Sequence, residues 1–405
     1  MTDKAHFDAS DIMAGLTGFQ RQTVDHVVRR FHDPARPSRR FLVADETGLG
    51  KSIVARGVIA RTIERIDRDP AVNRTDILYI CSNSDLANQN LKRLNILGAQ
   101  ATPFASRLTL LARHSRRLKP SVDPGRTAVN LVSFTPGTSF SKGFRGGNAE
   151  ERALLSLLLW DILVGLGHEG SRRRKTALHL ILRGGVRSVE RFRGYIGELA
   201  WELSEHGGAD PSIVHDFTRR VQVPDERTGV SLLDRVVTLM DLTEGRRKHL
   251  PTGIGDEAWQ LIGDLRSALA ESSVAVLKPD LIILDEFQRF RELMNPDTEA
   301  GELAHHLFDH SSARVLLLSA TPYKPFTYGE EEEDHARDFH QLLDFLAGRT
   351  DPVIDVRKTR ELLGAYRESV TRGDVDADVR ELLSSNLRTV MSRWERPRIG
   401  IEAMA

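Results

Sequence analysis

The chain has one cysteine, Cys81, so no intramolecular disulfide can brace it, and a small cross-linked secreted scaffold is excluded. It nowhere offers the roughly 18 uninterrupted apolar residues that a membrane-spanning helix requires. Its first residues, MTDKAHFDASDIMAG, carry acids and lack the basic start and apolar run of a secretory signal. These absences lead to an expectation of a cytoplasmic protein. Net charge is lacking too: 57 Lys and Arg offset 57 Asp and Glu. Any contact with nucleic acid must therefore come from local patches and not from a globally basic surface. There is no internal repeat, and the one compositional oddity is the acidic run Glu330 to Asp334, which reads as a solvated loop.

With 405 residues, 40% of them hydrophobic and 28% charged, the chain is an ordinary globular sequence with room for more than one domain. Branched apolar runs at Phe41–Ala44, Ile77–Cys81, Leu281–Leu284 and Val315–Leu318 read as buried parallel strands, and Ala128–Phe134 as a further one. Each of the first four is followed by small, polar or acidic residues and then a helical pattern. An α/β sheet carries its working loops at strand C-terminal ends in this way. From about Ser141 to Ala275 the texture changes. ERALLSLLLWDILVGL, KTALHLILRG, YIGELAWELSEH, SLLDRVVTLMDL and EAWQLIGDLRSAL all show helical apolar spacing, which predicts a helical insertion.

FLVADETGLGKSIVARGVIA has strand, glycine turn and helix in the order a phosphate loop needs. Gly48 and Gly50 would let backbone N–H groups, including those of Thr47 and Leu49, close around phosphate oxygens. Lys51 would reach the β and γ phosphates and Ser52 would hold Mg²⁺. Asp45 stands where the general pattern has glycine. In LIILDEFQRF, Asp285 and Glu286 end an apolar strand, where Asp285 would hold the metal and Glu286 would deprotonate the attacking water. Taken alone, such a pair is also a common helix N-cap.

RVLLLSATPYKPF follows with Ser319-Ala320-Thr321. DETGLGKS, DEFQ and SAT, in that order, resemble motifs I, II and III of superfamily 2 helicases and translocases, with their DEAD/DEAH-type acidic box. ADETGLGKS is similar to the first motif of the chromatin-remodelling branch, which carries Asp where the general pattern has glycine. The resemblance implies a RecA-like P-loop NTPase lobe that binds ATP and Mg²⁺ and couples hydrolysis to movement on DNA, with RNA left open. LTGFQRQTVDHV resembles the Q motif, which would make Gln20 the reader of the adenine edge, supported by Phe19. YICSNSDLANQNLKRL is similar to motif Ia and VNLVSFTPGTSF to motif Ib, implying nucleic-acid contacts at Ser82, Asn83, Ser133 and Thr135. Gln288, Ser319 and Thr321 would couple the ATP site to the nucleic-acid groove.

The resemblance divides the chain into a first part of the lobe at 1–140, the insertion at 141–275, a second part of the lobe at 276–350 and a helical segment at 351–405. It also implies a second RecA-like lobe, in cis or trans, supplying arginines to the ATP cleft, and leaves room for a nuclease or defence partner. Arg172, Arg173, Arg174 and Lys175, with Arg183, Arg187, Arg191 and Arg193, are a basic patch that either tracks a phosphate backbone or is a solvated helix face. A smaller cluster, Arg107, Arg113, Arg116, Arg117 and Lys119, is expected beside the nucleic-acid groove. His305, His306, His310, His335 and His340 have no accompanying cysteines or His-Glu zinc signature. A reading of another class also stands, in which the chain is a nucleotide-gated subunit that docks on a partner protein and turns over little ATP.

Overall fold

The computed structural model describes residues 6–395 apart from 70, 73, 83, 98–100, 106, 115–127, 136–145, 169–170, 278, 290, 296, 310–312, 320–329 and 349–351. Of 84–86, 88, 101–105, 276, 291, 299–300 and 330–336 it describes the backbone alone. The chain divides into two compact units, one comprising Met1–Ala105, Lys119–Pro136 and Lys278–Ala405, the other Ser106–Leu118 and Gly137–Leu277.

The first unit is built on a seven-stranded sheet: β1 (Arg40–Val43), β2 (Arg74–Ile80), β3 (Ala101–Ala105), β4 (Ala128–Phe134), β5 (Leu281–Asp285), β6 (Arg314–Leu318) and the two-residue β7 (Met391–Ser392). The spatial order is β3-β4-β2-β5-β6-β1-β7. Every neighbouring pair is parallel, giving a RecA-like α/β fold. Leu281–Leu284 and Val315–Leu317 are fully buried, as strands covered on both faces must be, and this is why they read as continuous apolar runs. The helix Lys51–Asp67 buries Val54, Val58, Ile59 and Ile63, and packs against the helix Gly18–Phe31. Their approach is close enough that a Cβ on Gly57 would meet Val24 Cγ2 at 2.6 Å, so a side chain there would force the helices apart.

Two elements lie outside the sequence expectations and one departs from them. ATPFA forms β3 despite Pro103, because β3 is an edge strand, where a missing N–H costs no ladder bond. Pro211 does not break a helix but begins one, Pro211–Gln222, behind an Asp210 side chain that accepts from the N–H groups of Ser212 and Ile213. The acidic run at 330–334 is not a loop: it starts the helix Glu330–Ala347, at the end where negative charge suits the helix dipole. That helix buries Phe339, Leu342, Leu343, Phe345 and Leu346.

The helical unit contains the five expected helices at Ala149–Gly165, Arg172–Leu182, Val189–Glu205, Leu232–Thr243 and Gly255–Val276, along with Pro211–Gln222. Its segment 107–114 is held by charge. Glu151, wholly buried, accepts from Arg107 at 3.1 Å, Arg266 at 3.0 Å and the Thr109 hydroxyl at 2.5 Å. Arg113 pairs with Glu202, and lies 3.6 Å from Glu150. Arg107 and Arg113 are therefore both ion-paired inside this unit. Arg116, Arg117 and Lys119 lie outside the described residues. Among the described residues no helix is long and apolar enough to cross a membrane.

Two stability effects follow from these buried charges. Glu151→Ala leaves the buried Arg266 and the half-buried Arg107 without their carboxylate and is expected to cost about 3–5 kcal/mol in urea unfolding. Asp280, at the entry to β5, accepts from the Asp76 N–H at 2.9 Å, and burial pushes its pKa up to about 6. Its folded form binds the proton more tightly than the unfolded chain does. The charged carboxylate thus destabilises at neutral pH, and the penalty is relieved as pH falls through about 6 towards the ordinary value of 3.8. Asp280→Asn should be more stable than the parent at pH 7.5, with the difference shrinking at pH 5 in the same assay.

Candidate active site

The glycine turn expected to act as a phosphate loop runs from the end of β1 into the helix Lys51–Asp67. Gly48 and Gly50 take φ of +86° and +85°, the left-handed region that a side chain resists, so the loop's tight turn depends on them. A Cβ on Gly50 would also meet Gln20 Nε2 at 2.6 Å. The first N–H groups of a helix lack intrahelical acceptors, and here they open at the glycine turn as a ready anion cradle. Lys51 Nζ donates to the Asp45 carbonyl at 3.0 Å, which folds it back over the loop. Burial lowers its pKa, while Asp45, Asp285 and Glu286 oppose that shift.

The acidic pair faces this loop because of the strand order. In β6, Leu318 is registered with Val43 of β1 on one side and Asp285 of β5 on the other. Only one strand therefore separates the two motifs, and both open at the C-terminal edge of the sheet, where α/β folds bind ligands. They share a cleft of about 420 Å³, with Thr47, Gly48, Gly50, Lys51 and Ser52 on one wall and Asp285, Glu286 and Gln288 on the other. Cys81, Ser82 and Asn90 complete the lining.

Asp285 is oriented by groups that motif reading missed. The buried Tyr79 hydroxyl donates to Asp285 Oδ2, and Asn90 Nδ2 donates to that hydroxyl at 2.7 Å. Burial raises the Asp285 pKa, while the Tyr79 hydrogen bond, the Glu286 N–H and Lys51 work against it. Tyr79 itself is driven well above its ordinary value by burial and the neighbouring carboxylate, so it stays a neutral donor. Glu286 has φ of +52°, the only positive value at a non-glycine among the described residues. Left-handed backbone costs an L-residue roughly 1–2 kcal/mol, and such strain collects at functional positions. Its carboxylate pairs with Arg289 at 2.8 Å. Gln288 Oε1 is buried with no hydrogen-bond partner, an orphan acceptor at the cleft wall.

Other candidate residues are placed differently from expectation. Gln20 is buried and both ends of its amide are engaged: Oε1 accepts from the Thr17 N–H at 3.1 Å, and Nε2 donates to the Leu49 carbonyl at 2.9 Å. Here it ties its helix to the glycine loop. Phe19 packs on Trp394 with ring centroids 5.9 Å apart. Ser133 is corrected outright: it is 1% exposed in β4, registered with Tyr79, and its hydroxyl is buried where no nucleic-acid phosphate can reach. Ser82 lines the cleft itself, and Thr135 sits half-buried just past β4. Ser319 is buried immediately after Leu318, its N–H bonded to the Val43 carbonyl at 3.0 Å. Asn83 and Thr321 lie outside the described residues. Arg172 to Lys175 belong to the helical unit. The His305 ring is engaged by the Met294 carbonyl at 3.0 Å and by Asp309 at 3.3 Å.

Asp45 acquires a structural reason. Its side chain is fully buried and Oδ1 accepts from the Trp394 N–H at 2.9 Å, while the Glu46 N–H donates to the Trp394 carbonyl at 3.0 Å. A glycine could not make the first of these bonds. The residue that departs from the general phosphate-loop pattern thus clasps the segment after β7 to the loop's entry. Asp45→Ala should speed hydrogen exchange at the Trp394 amide and cost about 1–3 kcal/mol, whereas Asp45→Asn, which keeps the acceptor, should leave that exchange nearly unchanged.

No protein-family model matches this sequence, and no curated protein is significantly similar to it, so the chemistry of the cleft rests on the residues that line it.

Proposed function

We propose that this chain binds Mg²⁺-ATP in the cleft between the phosphate loop and the Asp285–Glu286 pair, and hydrolyses it to ADP and phosphate to drive movement on nucleic acid. The observation that carries this reading is the convergence of Lys51 and Ser52 with Asp285 and Glu286 on one cleft, although more than 230 residues separate the two motifs in sequence. The loop amides and Lys51 would hold the phosphates. The Ser52 hydroxyl and the Asp285 carboxylate, hard oxygen donors on facing walls, fit Mg²⁺, a cation that prefers one or two protein oxygens together with substrate phosphates. Once bound, the metal would neutralise the phosphate charge that develops during transfer.

Glu286 would take the proton of the attacking water, its unusual backbone aiming the carboxylate from the strand end. In this structure it is paired with Arg289, and Lys51 is folded on Asp45, so both must change partners when nucleotide arrives. The motif resemblance supports a helicase or translocase of superfamily 2, completed by a second RecA-like lobe, with DNA as the favoured track. The Glu286–Arg289 pair favours one alternative, a subunit that binds nucleotide and docks on a partner with little turnover of its own.

Calorimetry and turnover separate these readings. Lys51→Ala should weaken Mg²⁺-dependent ATP binding at least tenfold, about 1.4 kcal/mol. Glu286→Gln should keep binding but lower hydrolysis by about 10²–10⁴, the usual contribution of a general base. Absence of Mg²⁺-dependent nucleotide binding by the parent chain would overturn the proposal. Normal binding without DNA-stimulated turnover would select the docking subunit.

A further inference from the structure

The helical unit carries a basic surface that the sequence shows only in part. Arg172 and Arg173 open the helix Arg172–Leu182, and Arg187 follows it. Some sixty residues later in sequence, the loop after the helix Leu232–Thr243 carries Arg246, Arg247 and Lys248. Folding lays this loop along the first helix. At the helix start, Ser171 donates to Glu244 at 3.1 Å and Arg174 pairs with Asp241 at 2.7 Å. At the other end Arg183 donates to the Lys248 carbonyl at 3.1 Å. The loop therefore runs beside the whole helix, and two basic segments remote in sequence become one strip.

The acids of the strip are few and partly engaged. Asp241 is held by Arg174 and Glu244 by Ser171, while Glu190 stands at the far end. Arg172, Arg173, Arg187, Arg246, Arg247 and Lys248 are exposed, and none of them forms an ion pair among the described residues. Eleven helical residues from Arg172 to Leu182 span about 16 Å, the axial length of roughly five phosphates on one strand of a duplex. Lys175 lies over the Trp160 ring at 4.9 Å, which occupies one face of that ring. Guanidinium groups spaced along an extended track match a phosphate backbone, and contacts to phosphate carry no sequence information.

We infer that this strip grips the phosphate backbone of duplex nucleic acid, independently of sequence and of bound nucleotide. It deepens the proposed motor function by assigning the helical unit a hold on the track, yet shares no residue with the nucleotide cleft. Its test is therefore run without ATP. The full chain is titrated into a short, labelled, mixed-sequence DNA duplex, and anisotropy is followed across a salt series. A variant combining Arg172→Gln, Arg173→Gln, Arg246→Gln and Arg247→Gln should bind at least tenfold more weakly at low salt. Its log–log salt slope should be shallower by about 0.9 for each phosphate that is no longer neutralised. Lys51→Ala should bind the duplex like the parent, which separates this surface from the ATP cleft. Removal of exposed arginines elsewhere, Arg357→Gln with Arg372→Gln, should change nothing. A duplex RNA that binds comparably would support a backbone-directed grip. The inference is overturned if the fourfold variant, folded by circular dichroism, binds with parental affinity and slope. It is equally overturned if polyglutamate displaces the duplex as readily as unlabelled DNA does, since the strip would then be a site for acidic protein.

Discussion

Hydrogen bonding of β6 to β1 on one side and to β5 on the other is the constraint on which the site depends. Neither the phosphate loop nor the acidic pair can be moved without breaking a ladder of parallel bonds. Their separation is thus set by sheet geometry and not by loop conformation. Sites held on strand ends are positioned more tightly than sites held by loops alone, and phosphoryl transfer relies on positioning more than on covalent chemistry. The Tyr79–Asn90 pair behind Asp285 extends the same logic one layer deeper, since it fixes a carboxylate that would otherwise be free to rotate.

Much of this arrangement was legible in the residues. Doubly covered parallel strands leave unbroken apolar runs, so β1, β2, β4, β5 and β6 and the loops that follow them could be placed, and with them Lys51, Ser52, Asp285 and Glu286. The failures have physical causes. The sequence reading does not pick out β3, because its run contains Pro103 and nothing local says whether a strand lies at an edge. The helix Pro211–Gln222 likewise goes unread, although proline in a first helical turn is favourable. Ser133 looked available for a phosphate because it lies in a motif. In a strand buried on both faces, however, the alternation that distinguishes inside from outside vanishes.

The remaining omissions concern partners distant in sequence. Tyr79 and Asn90 acquire meaning only when β2 lies beside β5, and Asp45 only when Trp394 returns to it across nearly the whole chain. Gln20 illustrates a further case, a residue whose amide bonds to Thr17 and Leu49 are invisible in its motif. Motif spacing identifies which side chains share a neighbourhood. It does not say which hydrogen bonds they have already formed.

The clasp at Asp45 carries a mechanical implication. β7 lies parallel to β1 at the sheet edge, and the N–H groups of Leu42, Ala44 and Glu46 donate in turn to the carbonyls of Val390, Ser392 and Trp394. Tension on the chain beyond Glu395, directed along the strand, would load these bonds together in shear and not one by one as in unzipping. The strand that bears that load is the one whose end curls into the glycine turn, so a pull delivered far from the cleft would reach that turn without passing through any other element of the fold.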